Sequence, residues 1–112
     1  MVNSDYLSAA EQVLQSIENR CDEINATTDA DIDNMRNGNA LTLGFSNGTQ
    51  IVINLQKPLE EIWLATQTGG YHFKWENGVW RESREGLELF SAISNFATQQ
   101  SGIPLTFTAH AG

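Results

Sequence analysis

Apolar residues in the first quarter of the chain recur three and four apart: Leu7, Ala10, Leu14, Ile17, Cys21 and Ile24. That spacing lays them on one stripe of a 3.6-residue period and predicts an amphipathic helix over residues 4–25. Asn3 or Ser4 can cap it, with Asp5 near the positive end of the helix dipole. From residue 31 the pattern changes to alternation. Strand-like runs cover roughly residues 31–36, 40–46, 49–55, 61–66, 71–76 and 79–82, punctuated by the pairs Asn37-Gly38, Asn47-Gly48 and Asn77-Gly78. Asn-Gly between such runs signals a hairpin, because both residues tolerate positive φ. Pro58 interrupts the path between the third and fourth runs, and Gly69-Gly70 turns the chain into the fifth. Helical spacing returns over residues 86–100, where Leu87, Phe90, Ile93 and Ala97, with Leu89 and Phe96 beside them, form an apolar face ended by Gly102 and Pro104. Leu105 and Phe107 are placed to pack back on the helices as an extended tail.

Helix, antiparallel meander, helix is the order of an α+β two-layer sandwich, with two helices packed on one face of an antiparallel sheet. The whole chain, residues 1–112, is expected to form a single domain. Period-two alternation turns Ile51, Ile53, Leu55, Ile62 and Leu64 inward and leaves Gln50, Val52, Asn54, Gln56 and Trp63 outward. A solvent-side Trp63 flanked by the amides of Asn54 and Gln56 has the makings of a recognition surface. Asn34 and Arg36 alternate onto the inner face beside Ile32, where the sequence offers no account of them.

Charge adds an asymmetry to this frame. Eight of the 14 acidic residues and one of the six basic ones lie in residues 1–33, leaving that segment seven charges negative and the rest of the chain one. Such a field draws cations or a basic partner to one side of the molecule and argues against nucleic acid. A lone cysteine, Cys21, permits no intrachain disulfide, and a reducing, cytoplasmic setting is the natural expectation. No apolar stretch approaches the roughly 20 residues that span a bilayer, so no membrane partner is expected.

At about 100° per residue, Glu11, Glu18 and Asp22 fall together on one flank of the first helix, and Asn19 and Glu23 continue round its polar face. Asp29, Asp31 and Asp33 would share one face if their segment is a strand, extending that ridge. The same segment fails as an EF-hand loop, with Asn34 at the glycine position and Ala40 at the position of the bidentate glutamate. Carboxylate oxygens on a convex surface suit hard or borderline cations such as iron, manganese or calcium, held weakly and reversibly. The plainer alternative is a solvated acidic face. No nucleophile–base pair stands out. His72 reads as a surface sheet residue, His110 lies in the tail, Cys21 sits on the buried stripe, and Trp75 and Trp80 read as packing.

Taken together, Leu41-Thr42-Leu43-Gly44-Phe45, Asn54-Leu55-Gln56-Lys57-Pro58, Ile62-Trp63-Leu64-Ala65 and Gly69-Gly70-Tyr71-His72-Phe73, with the acidic first helix, resemble the bacterial branch of the frataxin family. The resemblance runs from about Ser4 to Phe107. It implies a non-enzymatic protein of iron–sulfur cluster assembly that binds Fe2+ and Fe3+ on an acidic ridge and docks on a cysteine desulfurase and the cluster scaffold protein. Members act as iron-dependent regulators of the desulfurase or as iron chaperones, and some are credited with ferroxidase and iron-storage activity. By position the metal ridge is Glu11, Glu18, Asp22, Glu23, Asp29, Asp31 and Asp33, and the partner surface is Asn54, Gln56 and Trp63. A monomer is expected, with association only when iron is present. An acidic interaction module without a metal role is the remaining alternative. Asn19 and Asn25 stand where related ridges often carry acids, and Leu55 where a base is common.

Overall fold

A computed structural model describes residues 4–109 of the chain. Helix α1 runs over Ser4–Thr27, followed by strands β1 (Asp33–Asn37), β2 (Ala40–Gly44), β3 (Gln50–Gln56), β4 (Glu61–Thr66), β5 (Gly69–Glu76) and β6 (Val79–Glu82), then helix α2 (Leu89–Ser101). The six strands form one antiparallel sheet in the order β1-β2-β3-β4-β5-β6, so every neighbour in space is a neighbour in sequence. The α+β arrangement expected from the hydrophobic pattern is the one found.

Register explains where the core sits. Leu41, Ile53 and Leu64 stand opposite one another across β2, β3 and β4, and Leu55, Ile62 and Phe73 across β3, β4 and β5. All are buried, on the face covered by Ala10, Leu14, Ile17, Cys21 and Ile24 of α1 and Leu89, Ile93 and Ala97 of α2. Burial of this size is the main favourable term in folding. The predicted stripe on α1 is widened by Tyr6 and Val13, while Leu7 is only partly buried.

Three details depart from the sequence reading. Of the three Asn-Gly pairs, only Asn77-Gly78 holds both residues at positive φ (50° and 80°), making a two-residue hairpin between β5 and β6. Gly69 and Gly70 belong to β5, and the turn before them is formed by Gln67 and Thr68. Helix α2 starts at Leu89 rather than Gly86, because the Glu88 carboxylate accepts from the N–H groups of Phe90 and Ser91 and caps the first turn. Glu82, buried at the end of β6, accepts from the Glu85 N–H at 2.7 Å and pins the preceding loop. That bond, followed by Arg84, holds its carboxyl below the usual 4.5.

The tail does pack on the helices, with Leu105 and Phe107 buried. It is tied by side chains rather than by a sheet ladder. Thr98 Oγ1 accepts from the Leu105 N–H at 3.0 Å, Ser94 Oγ from the Phe107 N–H at 2.7 Å, and Arg20 Nε donates to the Thr106 carbonyl at 2.7 Å. His110 lies outside the described residues. No helix among those described is long and apolar enough to cross a membrane.

Candidate functional site

Two surfaces carry the chemistry, one on the helix side and one on the open side of the sheet. On the helix side, α1 presents Glu11, Glu18, Asp22 and Glu23 along its polar face, as the helical period predicts. Glu11, Asp22 and Glu23 are exposed and Glu18 is half-buried. Glu23 pairs with Arg20 one turn earlier at 3.6 Å.

The remainder of the ridge is built differently from expectation. Asp31 sits at φ 53°, in the left-handed region, and β1 begins only at Asp33. Asp29, Asp31 and Asp33 therefore do not line one strand face. They are exposed carboxylates on a bent connection. The bend is fixed by Asn25, whose amide donates to the Ile32 carbonyl at 2.8 Å and accepts from the Ile32 N–H at 2.7 Å. A carboxylate can accept but not donate, so an acid at position 25 would keep the bond from the Ile32 N–H and lose the one to the Ile32 carbonyl.

Arg36 finds its role here. It lies opposite Leu41 across β1 and β2 and so turns to the helix side of the sheet. From this edge strand its guanidinium reaches α1 and donates to both Glu18, at 3.3 Å, and Glu11. The bond to Glu11, then that to Glu18, raises its affinity for its proton against the opposing effect of burial. Two predicted cation ligands are thus already held by an internal cation. Among the described residues, no three His, Cys, Asp or Glu side chains converge closely enough to enclose a metal ion. Cys21 beneath the ridge is fully buried, and burial, with Asp22 and Glu18 nearby, pushes its thiol up to about 12. It offers no thiolate at neutral pH.

On the open face of the sheet, register assembles a second cluster. Asn54 of β3, Trp63 of β4 and His72 of β5 stand in one cross-strand row, and Gln56, Glu61, Lys74 and Arg81 in the next. The Trp63 and His72 rings stack at 4.2 Å with planes 7° apart. Glu61, only 9% exposed, accepts from Trp63 Nε1 at 2.7 Å. Its oxygens also approach His72 Nδ1 at 3.9 Å and Lys74 Nζ at 3.8 Å. Glu61 shares the outward face with Trp63, as alternation requires, yet it is buried rather than solvated. Leu55 lies in the core and takes no part in this face. The sequence reading singled out Asn54, Gln56 and Trp63. It missed Glu61, His72 and Lys74, which only the pairing of β4 with β5 brings alongside. Chemically this surface is a preorganised aromatic platform flanked by amides and mixed charge, suited to recognition and lacking a nucleophile–base pair.

With this geometry in place, comparisons with known proteins can be set beside it. A family model described as a frataxin-like domain matches residues 1–103. The chain is 50% identical over 109 residues to the iron–sulfur cluster assembly protein CyaY of Paracidovorax citrulli (strain AAC00-1), covering 97% of this chain and 99% of that one. Among solved structures, the frataxin of Psychromonas ingrahamii superposes with a TM-score of 0.85 at 38% identity, over 96% of this chain and 99% of that chain. Trimeric frataxin from the yeast Saccharomyces cerevisiae, complexed with ferrous iron, gives a TM-score of 0.69 at 27% identity, over 83% and 84%.

Proposed function

The chain belongs to the frataxin-like family, and on that premise we propose that it serves iron–sulfur cluster assembly as an iron-responsive regulator of cysteine desulfurase. In this reading iron is cargo and signal, taken weakly and reversibly by the acidic face, and the Trp63 face contacts a partner of the assembly machinery. The observation that carries the reading is the set of exposed carboxylates Asp22, Glu23, Asp29, Asp31 and Asp33, of which Glu23 is paired with Arg20 and the others offer oxygen ligands to hydrated Fe2+. Because these carboxylates diverge, each ion meets one or two of them and exchanges readily. The same field attracts a basic surface on a partner. If iron and partner share carboxylates, each changes the affinity for the other by the same factor. An iron chaperone that hands its ion to the scaffold protein would use the same two faces.

Anaerobic titration with Fe2+ tests the first half of this reading. Asp22→Asn combined with Glu23→Gln is the informative variant, since it leaves the partners of Arg36 intact. Loss of binding heat is expected, and wild-type protein that takes up no Fe2+ would overturn the reading. For the second half, affinity for the desulfurase is expected to fall as salt rises and to change when Fe2+ is added. A second reading is favoured by the absence of a convergent ligand set among the described residues: the acidic face is a docking surface with no metal role. It predicts silent Fe2+ titrations beside salt-dependent desulfurase binding. Ferroxidase activity would show as oxygen consumption on adding Fe2+ above the protein-free rate.

A further inference from the structure

We propose that Asn37 is a site of spontaneous covalent modification, deamidation to aspartate or isoaspartate through its bond to Gly38, which places a new carboxylate at the β1 end of the open-face row. Of the three Asn-Gly pairs in the chain, this one combines a free amide, a free nucleophile and a place on a recognition surface.

The chemistry needs only water. The Gly38 backbone nitrogen, as it gives up its proton, attacks the side-chain carbonyl carbon of Asn37. The bond from that carbon to the amide nitrogen breaks, and the nitrogen takes up a proton and leaves as ammonia. Water then opens the remaining five-membered succinimide. Attack at one carbonyl gives aspartate, and attack at the other gives isoaspartate, in which the chain runs on through the side chain. Glycine permits the first step best, because no Cβ crowds its nitrogen. Around Gly38 the space where a Cβ would stand is empty to 4 Å.

Hydrogen bonding separates the three pairs. Asn47 Nδ2 donates to the Gln100 carbonyl at 2.5 Å, and its Oδ1 accepts from the N–H and the hydroxyl of Thr49 at 3.1 and 2.8 Å. The Gly48 N–H donates to the Phe45 carbonyl at 2.9 Å. Ring closure at Asn47 must therefore break bonds at both the carbonyl under attack and the attacking nitrogen. Among the described residues, the side chains of Asn37 and Asn77 have no hydrogen-bond partner, and the N–H groups of Gly38 and Gly78 have none either. All four residues are exposed.

Position separates the two free pairs. Asn77 stands at the tip of the β5–β6 turn, beyond the last paired residues Glu76 and Val79. Asn37 closes the cross-strand row that runs through Ala40, Asn54 and Trp63 to His72. Only the small Ala40 side chain stands between it and the Asn54 amide. Aspartate at this point adds a negative charge to the rim of the row. Isoaspartate also inserts a backbone carbon into the last β1–β2 pair, next to Arg36. The modification itself does not depend on the partner proposed for that face.

The test ages the full chain in mildly alkaline buffer at physiological temperature and follows each Asn-Gly pair by peptide mass mapping. A free peptide of residues 35–40 serves as reference. Asn37 is expected to convert at a rate near that of the peptide and at least about tenfold faster than Asn47, the factor that one retaining hydrogen bond is worth. Enzymatic methylation should mark isoaspartate at position 37. In the 15N-labelled chain the Asn37 side-chain amide signals should disappear while the backbone amides of Ala40 and Leu41 shift. Asn37→Asp is expected to reproduce the aspartate share of those shifts, and Asn37→Gln to stay unmodified at that position. An Asn37 that remains intact while the free peptide converts overturns the proposal, as does conversion of Asn47 ahead of Asn37.

Discussion

The acidic face of α1 and the open face of the sheet are built on opposite principles. On the helix, Asp22 and Glu23 stand exposed on a convex surface, and Glu11 and Glu18 meet only through the guanidinium of Arg36. The charge is dense, but among the described residues no three ligands converge on one point. On the sheet, register places Asn54, Trp63 and His72 in one row and fastens the stacked pair to Glu61 through a 2.7 Å hydrogen bond. The charge there is mixed and the geometry is fixed. A diverging acidic face supplies long-range attraction and fast encounter, whereas a preorganised aromatic face supplies selectivity once contact is made. In the proposed function, field and fit lie on separate faces, so mutations are expected to break one without the other.

The largest expected effect comes from the fitted face. Trp63→Ala removes an aromatic anchor and leaves the buried Glu61 carboxylate without its best donor. Binding to the cysteine desulfurase, followed by calorimetry, is expected to weaken by about 2 kcal/mol or more, roughly 30-fold, as for other central aromatic anchors. Its dependence on salt should be unchanged, because the acidic face is untouched. A Trp63→Ala protein that binds normally would show that this face is surface packing and nothing more.

A smaller effect separates charge from structure on the helix side. Asn25→Asp makes the ridge more acidic, which by charge alone should favour cations. It also replaces the donor on the Ile32 carbonyl with a second carboxylate oxygen. Urea unfolding is expected to show a loss of about 1–2 kcal/mol, with the connection through Asp31 loosened. Equal stability of Asn25→Asp and wild type would mean that the two-pronged bond to Ile32 is dispensable.

How far each face could be read from the sequence follows from the same contrast. Helical period is local, so Glu11, Glu18, Asp22 and Glu23 could be assigned to one side of α1 without knowing what packs on it. Strand alternation is equally local and sent Trp63 outward and Leu55 inward. What stayed hidden depends on contacts between elements. The Trp63–His72 stack requires the β4–β5 register, and the alternation that rightly gave Glu61 the outward face says nothing of its burial or its bond to Trp63. The left-handed Asp31 is imposed by Asn25, seven residues from its Ile32 partner. Alternation alone, which counts every residue as extended, passed over it. Arg36 pairs with residues 18 and 25 positions away, and no spacing rule joins an edge strand to a helix flank.

Arg36 gives the finest test of the separation between field and fit. Its side chain and those of Glu11 and Glu18 are 28%, 49% and 25% exposed, so water screens the pairs and their contribution to stability is expected to stay below about 1 kcal/mol. Arg36→Gln should therefore unfold at nearly the wild-type urea concentration. Its effect on the field is larger in proportion. The substitution removes one positive charge from the ridge and releases two carboxylates that no other basic side chain of α1 or β1 satisfies, since Arg20 is turned to Glu23 and the tail. Fe2+ affinity is expected to rise several-fold, with the new paramagnetic broadening centred on Glu11 and Glu18. Desulfurase binding should become more sensitive to salt while its dependence on Trp63 stays the same. Unchanged Fe2+ uptake would mean that Arg36 does not compete with cations. A stability loss of several kcal/mol would make Arg36 a strut between β1 and α1, and the helix side would then be as much a fitted surface as the sheet.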